Sequence, residues 1–468
     1  MGRRFCEECH QKQKQIDRLE EETRRLKDLL NKMKKQTARA AEGFFGSSTP
    51  SSKIPLKANA PAPEDRKRRG GQPGHPGAGR RSAAAAEYDK SVKVPVDVGE
   101  HCPSCGGILT GKGTVYREVL ESRPIKADRI QYLLPKRHCA RCPQPYLPAV
   151  PGVLPKSLFG NQLITTALEL HYLHGIPLGR VSELTGIDAG SLMGVYHRVA
   201  KLFQDVPAHL IKCYREAPVR HADETGWRKE GQNGYAWLFA TRKISLFQFK
   251  NTRSATVPRA VLGDAPLPGV LVVDRYAGYN KAPCAIQYCY AHLLRDLQDL
   301  DKEFPAVPEV KTFVSTLAPL LATAMGLRNQ AIAGEAFPVK AAAVKADILA
   351  AVNQPAKHLG IRRIQDIFHQ NAHRLYHWAD NKLIPADNNL AERDLRPTVI
   401  ARKVSFGSQS DAGALTRGIL MSTLWSLRKQ VPHVSEHVKR VLDQLALNIR
   451  QNPLPLLFPG PSPPKALL

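Results

Sequence analysis

Three groups of residues in this 468-residue chain have the types and spacing for metal and phosphate chemistry. The first is acidic: Asp223 and Glu224 in His221-Ala-Asp-Glu-Thr225, Asp274 directly after the apolar run Val270–Val273, and Asp387, Glu392 and Asp394 in Ile384-Pro-Ala-Asp-Asn-Asn-Leu-Ala-Glu-Arg-Asp-Leu-Arg-Pro397. Hard divalent cations take oxygen ligands. Two such ions about 3.5–4 Å apart activate an attacking oxygen and stabilise a leaving one in phosphoryl transfer. The second group is Cys102-Pro-Ser-Cys105 and Cys139-Ala-Arg-Cys142, four thiolates in two tight pairs that match tetrahedral zinc, with Gly106 and Gly107 permitting a close turn. The third is basic: Arg66, Lys67, Arg68 and Arg69, with Arg80 and Arg81, flank a Gly/Pro-rich stretch and are placed to track phosphates. Cys6 and Cys9 form a weaker pair with no second pair near them.

The acidic group needs elements that bring it together. Strand character runs over Val219–Thr225, Tyr235–Thr241 and Ile244–Phe249, a helix over Ser254–Leu262, and Val270–Val273 reads as a strand buried on both faces. Three hairpin-connected strands, a crossover helix and a buried parallel strand open a ribonuclease H-like fold, in which the first and fourth strands lie side by side. Asp223 and Asp274 then converge. Alternate residues of a strand face opposite ways, so only one of Asp223 and Glu224 joins Asp274, and strand parity leaves that choice open. The third carboxylate is open among Glu392, Asp394 and Asp387, and Asn389 three residues before Glu392 also fits a helix-capping role.

Around this core the chain reads as an α+β multidomain protein. Residues 1–42 carry Ile16, Leu19, Thr23, Leu26, Leu30 and Met33 at alternating spacings of three and four, a short coiled-coil seam. Residues 43–90 form a basic Gly/Pro-rich linker, and 91–160 a zinc ribbon-like module with apolar alternation between its cysteine pairs. Residues 161–210 resemble a helix-turn-helix: a turn at Thr185-Gly186-Ile187 precedes a helix capped by Asp188 that would put Ser191 and Arg198 near DNA. The core occupies 211–292 and 381–450 around a helical insertion at 293–380, before a Pro-rich tail at 451–468.

Lysine and arginine total 68 against 42 acidic residues, a net charge of +26 that calls for a polyanionic partner. Nine cysteines are too few for a disulfide scaffold. No apolar run reads as long enough to span a membrane and no signal peptide is visible, so a cytoplasmic, nucleoid-associated protein is expected.

His221-Ala-Asp-Glu-Thr225, Asp274-Arg-Tyr-Ala-Gly-Tyr-Asn280, Asp387 to Pro397, Arg402-Lys403 and Phe406-Gly-Ser408 resemble the motifs of insertion-sequence-66 family transposases, as do Gly70 to His75, the coil and the four cysteines. The resemblance implies a DDE-type transposase that cleaves transposon ends and joins the 3′-OH to target DNA. It puts the metal triad on Asp223, Asp274 and Glu392 with two Mg2+ or Mn2+ ions, and makes Glu224 a neighbour. It also implies structural Zn2+, double-stranded DNA contacts including Arg402 and Lys403, a homo-oligomer and small accessory proteins. Cys289-Tyr-Ala-His292 resembles the family's Cys-x-x-His element. Gly226 and Arg275 depart from the family's usual Pro and Gly without removing a ligand, and Arg275 is placed to touch phosphate. The alternative is an inactive or domesticated DNA-binding descendant of a transposase.

Overall fold

The computed structural model describes residues 149–332 and 336–459 without a break, with shorter stretches between 100 and 146 and the single residue Glu22. The expected coiled-coil seam, the linker bases Arg66, Lys67, Arg68 and Arg69, and Cys102 lie outside the described residues. The chain divides into two units, residues 1–123 and 124–468. In the first, Cys105 stands in a turn bridged by His101 and Ile108, and Gly106 has φ of 73°, a left-handed conformation that favours glycine. In the second, β1 (Arg137–Cys139) and β2 (Cys142–Tyr146) form an antiparallel hairpin with Cys139 opposite Cys142.

Four helices follow: α1 (Asn161–Leu168), which runs on into a π-helical turn at Glu169–Leu173, α2 (Leu178–Thr185), α3 (Ala189–Leu202) and α4 (Val206–Glu216). Gly186 ends α2 with φ of 72°, and Asp188 caps α3 by accepting the Ser191 N–H at 3.0 Å, as the sequence predicts. The face α3 turns inward, Leu192, Tyr196 and Val199, joins the same hydrophobic core as the sheet. Arg198 donates to the Pro155 carbonyl, and Ser191 is half-buried.

The sheet holds β3 (Val219–Lys229), β4 (Gln232–Ala240), β5 (Ser245–Lys250), β6 (Val270–Val273) and β7 (Ala285–Tyr288) in the order β5-β4-β3-β6-β7. β3, β4 and β5 are antiparallel, whereas β6 runs parallel to both β3 and β7. The β3–β4 hairpin turns on Glu230 and Gly231, both at positive φ (52° and 74°), which matches the right-handed strand twist. Helix α5 (Thr256–Leu262) makes the crossover to β6, whose four residues are all buried.

After β7 come α6 (Tyr290–Glu303), α7 (Pro308–Leu327), α8 (Ala336–Val352), α9 (Leu359–Gln370), α10 (Asn389–Ser405), α11 (Asp411–Arg428) and α12 (Val434–Leu447). Helix α7 corrects one expectation: its 20 residues are long and apolar enough to cross a membrane by length and composition. Val310, Phe313, Leu317, Leu321, Ala324 and Leu327 are instead buried on its inner side in the protein core. Helix α11 closes the open edge of β5. Its Ser422 and Ser426 hydroxyls accept the N–H groups of Phe247 (2.8 Å) and Ser245 (3.0 Å), so the strand edge is paired by side chains instead of by another strand. A Cβ at Gly418 would sit 3.2 Å from the Phe247 carbonyl, so the same helix face is kept small where it approaches β5.

Candidate active site

The register of the central strands places the first two carboxylates. Val219, Arg220 and His221 of β3 stand opposite Val270, Leu271 and Val272 of β6, so two residues further on Asp223 stands level with Asp274, where β6 leaves the sheet. Each carboxylate accepts one nearby backbone N–H, Asp223 from Glu224 at 2.8 Å and Asp274 from Tyr276 at 2.9 Å. Among the described residues no cationic side chain pairs with either. Burial holds the Asp223 carboxyl well above the ordinary carboxylate range, and the negative charges of Glu224, Asp274 and Glu392 push it further.

Asp223 shares its side of β3 with His221, and on that side the start of α10 is pinned to the sheet. Asn388, the residue before α10, donates through Nδ2 to the Ala222 carbonyl (2.9 Å), meets His221 Nδ1 through Oδ1 (2.9 Å) and gives its backbone N–H to Cys289 Sγ (3.1 Å). Burial lowers the His221 imidazole to about 4, so it serves as a neutral, fixed partner. With Asn388 so committed, α10 has no side-chain cap, and the capping role open to Glu392 is not taken. Glu392 instead meets Arg295 of α6, whose Nη2 lies 3.3 and 3.5 Å from its two oxygens.

The other two acidic residues of this segment are engaged elsewhere. Asp394 is buried, pairs with Lys429 and accepts the Ser245 hydroxyl at 2.8 Å. Asp387 accepts the Asn389 N–H at 3.0 Å and lines a cavity of about 1020 Å³ together with Arg242, Arg328 and Arg393.

Glu224 points to the opposite side of β3. Its buried carboxylate takes Arg253 at 2.7 Å and the Tyr279 hydroxyl, tying the loop after Asp274 to the sheet. Arg275 is paired with Asp296 of α6. Arg402 donates to the Thr225 hydroxyl (3.1 Å) and the Gly226 carbonyl (2.6 Å), while Lys403 is exposed. The Phe-Gly-Ser motif is a clasp on β3: Ser408 exchanges backbone hydrogen bonds with Arg228 and Glu230 at 2.9 Å, and a Cβ on Gly407 would fall 2.0 Å from the Arg228 carbonyl. The acidic residues stand out in the sequence, whereas Asn388, Arg295 and Tyr279 do not. An asparagine doublet beside an acidic residue was the one local sign of the first.

The sequence profile of the Transposase IS66 family matches residues 156–416, a span that holds Asp223, Asp274 and Glu392 on the elements just described. The chain belongs to that family. Membership makes transposase its functional class and DNA the molecule it acts on. The matched span begins after the four cysteines, so the family assignment rests on the helices and sheet. An uncharacterized protein, y4jD, of Sinorhizobium fredii (strain NBRC 101917 / NGR234) is 25% identical over 377 residues, covering 70% of this chain and 71% of that protein.

Proposed function

We propose that this IS66-family protein cleaves transposon ends and joins the freed 3′-OH to target DNA, using Asp223, Asp274 and Glu392 as the ligands of two Mg2+ or Mn2+ ions in a ribonuclease H-like core. The observation that carries the reading is electrostatic. Two carboxylates level with each other on adjacent parallel strands, with a third close enough to act on the first, meet only backbone donors among the described residues. Uncompensated buried negative charge is costly, and an all-oxygen donor set fits hard divalent cations. Ions held there supply an activated attacking oxygen and stabilise the leaving one.

The chain's own residues supply placement. Asp223 and Asp274 are fixed by strand register, and Glu392 by Asn388, which ties the start of α10 to β3. Glu224, Arg253 and Tyr279 brace the loop that carries Asp274 from the far side of the sheet. Zinc on Cys102, Cys105, Cys139 and Cys142, and self-association through the N-terminal seam, belong to the proposal on sequence spacing alone.

The test is to incubate the purified chain with its element's end DNA and Mg2+ or Mn2+ and to map nicked and joined products. Wild type should give both. A Glu392→Gln protein that nicks ends at near wild-type rate overturns the triad.

A further inference from the structure

We infer that Cys289, His292 and Glu392 form a site for one zinc-type ion beside the proposed catalytic cluster, sharing the Glu392 carboxylate with it. One ligand atom from each of these residues lies within 4.8 Å of the other two. The spacing has a structural cause: Cys289 is the N-cap of α6 and His292 its third residue, so the two side chains leave the same side of the first turn, toward the start of α10. Asn388 brings that start to within hydrogen-bond reach of Cys289, which carries Glu392 to the same place. His292 Nδ1 is buried and has no hydrogen-bond partner among the described residues, although a buried ring nitrogen ordinarily has one.

The donor set selects the ion. A thiolate, an imidazole and one carboxylate suit zinc and its soft or borderline relatives, whereas Mg2+ takes oxygen ligands and coordinates thiolate poorly. Zinc bonds of about 2.0–2.3 Å put neighbouring ligand atoms roughly 3.3–3.8 Å apart, so closure asks for about 1 Å of side-chain adjustment. Binding is an exchange: Cys289 gives up its thiol proton to solvent, the sulfur, imidazole and carboxylate each donate an electron pair to the ion, and water completes the fourth position. No redox change is involved.

The consequence for the triad rests on the proposed DNA chemistry, whereas the site itself does not. A carboxylate has two oxygens, so one on zinc leaves the other for the catalytic ions and fixes the direction in which it points. Arg295, on the same side of α6, is the alternative partner of Glu392 at 3.3 Å. Zinc binding draws the carboxylate away from that guanidinium.

The experiment counts metal, not turnover. Full-length chains carrying Cys105→Ser and Cys142→Ser, which removes the other candidate thiolate site, are stripped, reloaded with Zn2+, dialysed and analysed for zinc per chain. About one equivalent should remain. Adding His292→Gln should lower it to near zero, and Glu392→Gln should weaken zinc binding about ten- to hundredfold. Because Cys289 is buried and its replacement risks the fold, a Co2+ titration of the same chains gives a second readout. The thiolate-to-cobalt charge-transfer band should appear, and it should be lost with His292→Gln while circular dichroism stays native. Equal zinc content with and without His292, or no thiolate band, overturns the site. The two readings fail separately: loss of zinc leaves the triad to be judged by Asp223→Asn, and a Glu392→Gln chain that still nicks DNA overturns the triad while the zinc count with and without His292 still judges the site.

Discussion

Glu392 and Asp394 leave the same helix two residues apart and meet opposite surroundings. Asp394 is buried with a full set of partners: the Lys429 ammonium and the Ser245 hydroxyl take its charge, and Lys429 also donates to the Thr241 and Ile244 carbonyls at 2.8 Å. Glu392 has one loose contact to Arg295 and lies near Asp223, whose own carboxyl is pushed well above the ordinary carboxylate range by burial and by its acidic neighbours. The first arrangement consumes charge to tie α10, β5 and α11 together. The second leaves charge unmatched at the point where two parallel strands meet a helix. Buried charge that the fold has already satisfied is structural, and buried charge it has left unsatisfied calls for a ligand.

The contrast predicts where substitutions do their damage. Glu392→Gln, Asp223→Asn and Asp274→Asn should each lower end cleavage by ~10³-fold or more without unfolding the chain, and double variants should be little worse than singles because the ligands act as a unit. Cleavage rates beside thermal melts check this. Asp394→Asn should do the reverse, costing about 3 kcal/mol of stability by stranding Lys429, with cleavage per folded molecule close to normal; denaturant titration reads it. If Asp394→Asn kills cleavage in a fully folded chain, the division between the two carboxylates fails.

Asn388→Ala sharpens the comparison, since Asn388 positions Glu392 but touches none of the triad's oxygens. Stability should fall by about 1–3 kcal/mol from the Ala222 and His221 partners it abandons, and cleavage by roughly tenfold from a loosened α10. Saturating metal should restore part of the rate, which a merely destabilised fold would not show.

The smallest effect has an unusual sign. A carboxyl whose folded pKa is raised binds more protons folded than unfolded, so its favourable contribution is present below the ordinary value of 3.8 and is lost as pH rises through the raised value. Metal-free Asp223→Asn should therefore be more stable than wild type at neutral pH, by of order 1 kcal/mol, with the gap widening as pH climbs from the acid side. Melting curves across that range, with chelator present, would show a constant or reversed gap if Asp223 were already compensated.

Much of the sheet was legible because burial leaves a compositional mark. Val270–Val273 is an unbroken apolar run and is the one strand whose ends sequence and structure share. β3 extends four residues past Thr225, since Arg228 and Lys229 carry no apolar signal and are held by pairing with Asn233 and Gln232. The apolar length of α7 does not stand out in the sequence because its hydrophobic residues are interrupted by small and polar ones. At the site, the convergence of Asp274 with an acid of β3 followed from strand order, whereas the choice between Asp223 and Glu224, and that among Glu392, Asp394 and Asp387, rested on the family resemblance. What distinguishes the surroundings of these acids in the structure is Lys429, 35 residues beyond Asp394 along the chain, and Asn388 meeting His221 across 167 residues, contacts that no local pattern announces.

The central claim is that Asp223, Asp274 and Glu392 hold divalent ions, and counting those ions tests it most directly. Zinc-saturated full-length chain, free of Mg2+ and without DNA or with uncleaved end DNA, is titrated with Mn2+ by calorimetry. The account predicts about two Mn2+ per chain when DNA is bound, and loss of at least one of them in Asp223→Asn with the fold intact. Mn2+ binding of the same stoichiometry and affinity in Asp223→Asn and in wild type would contradict it.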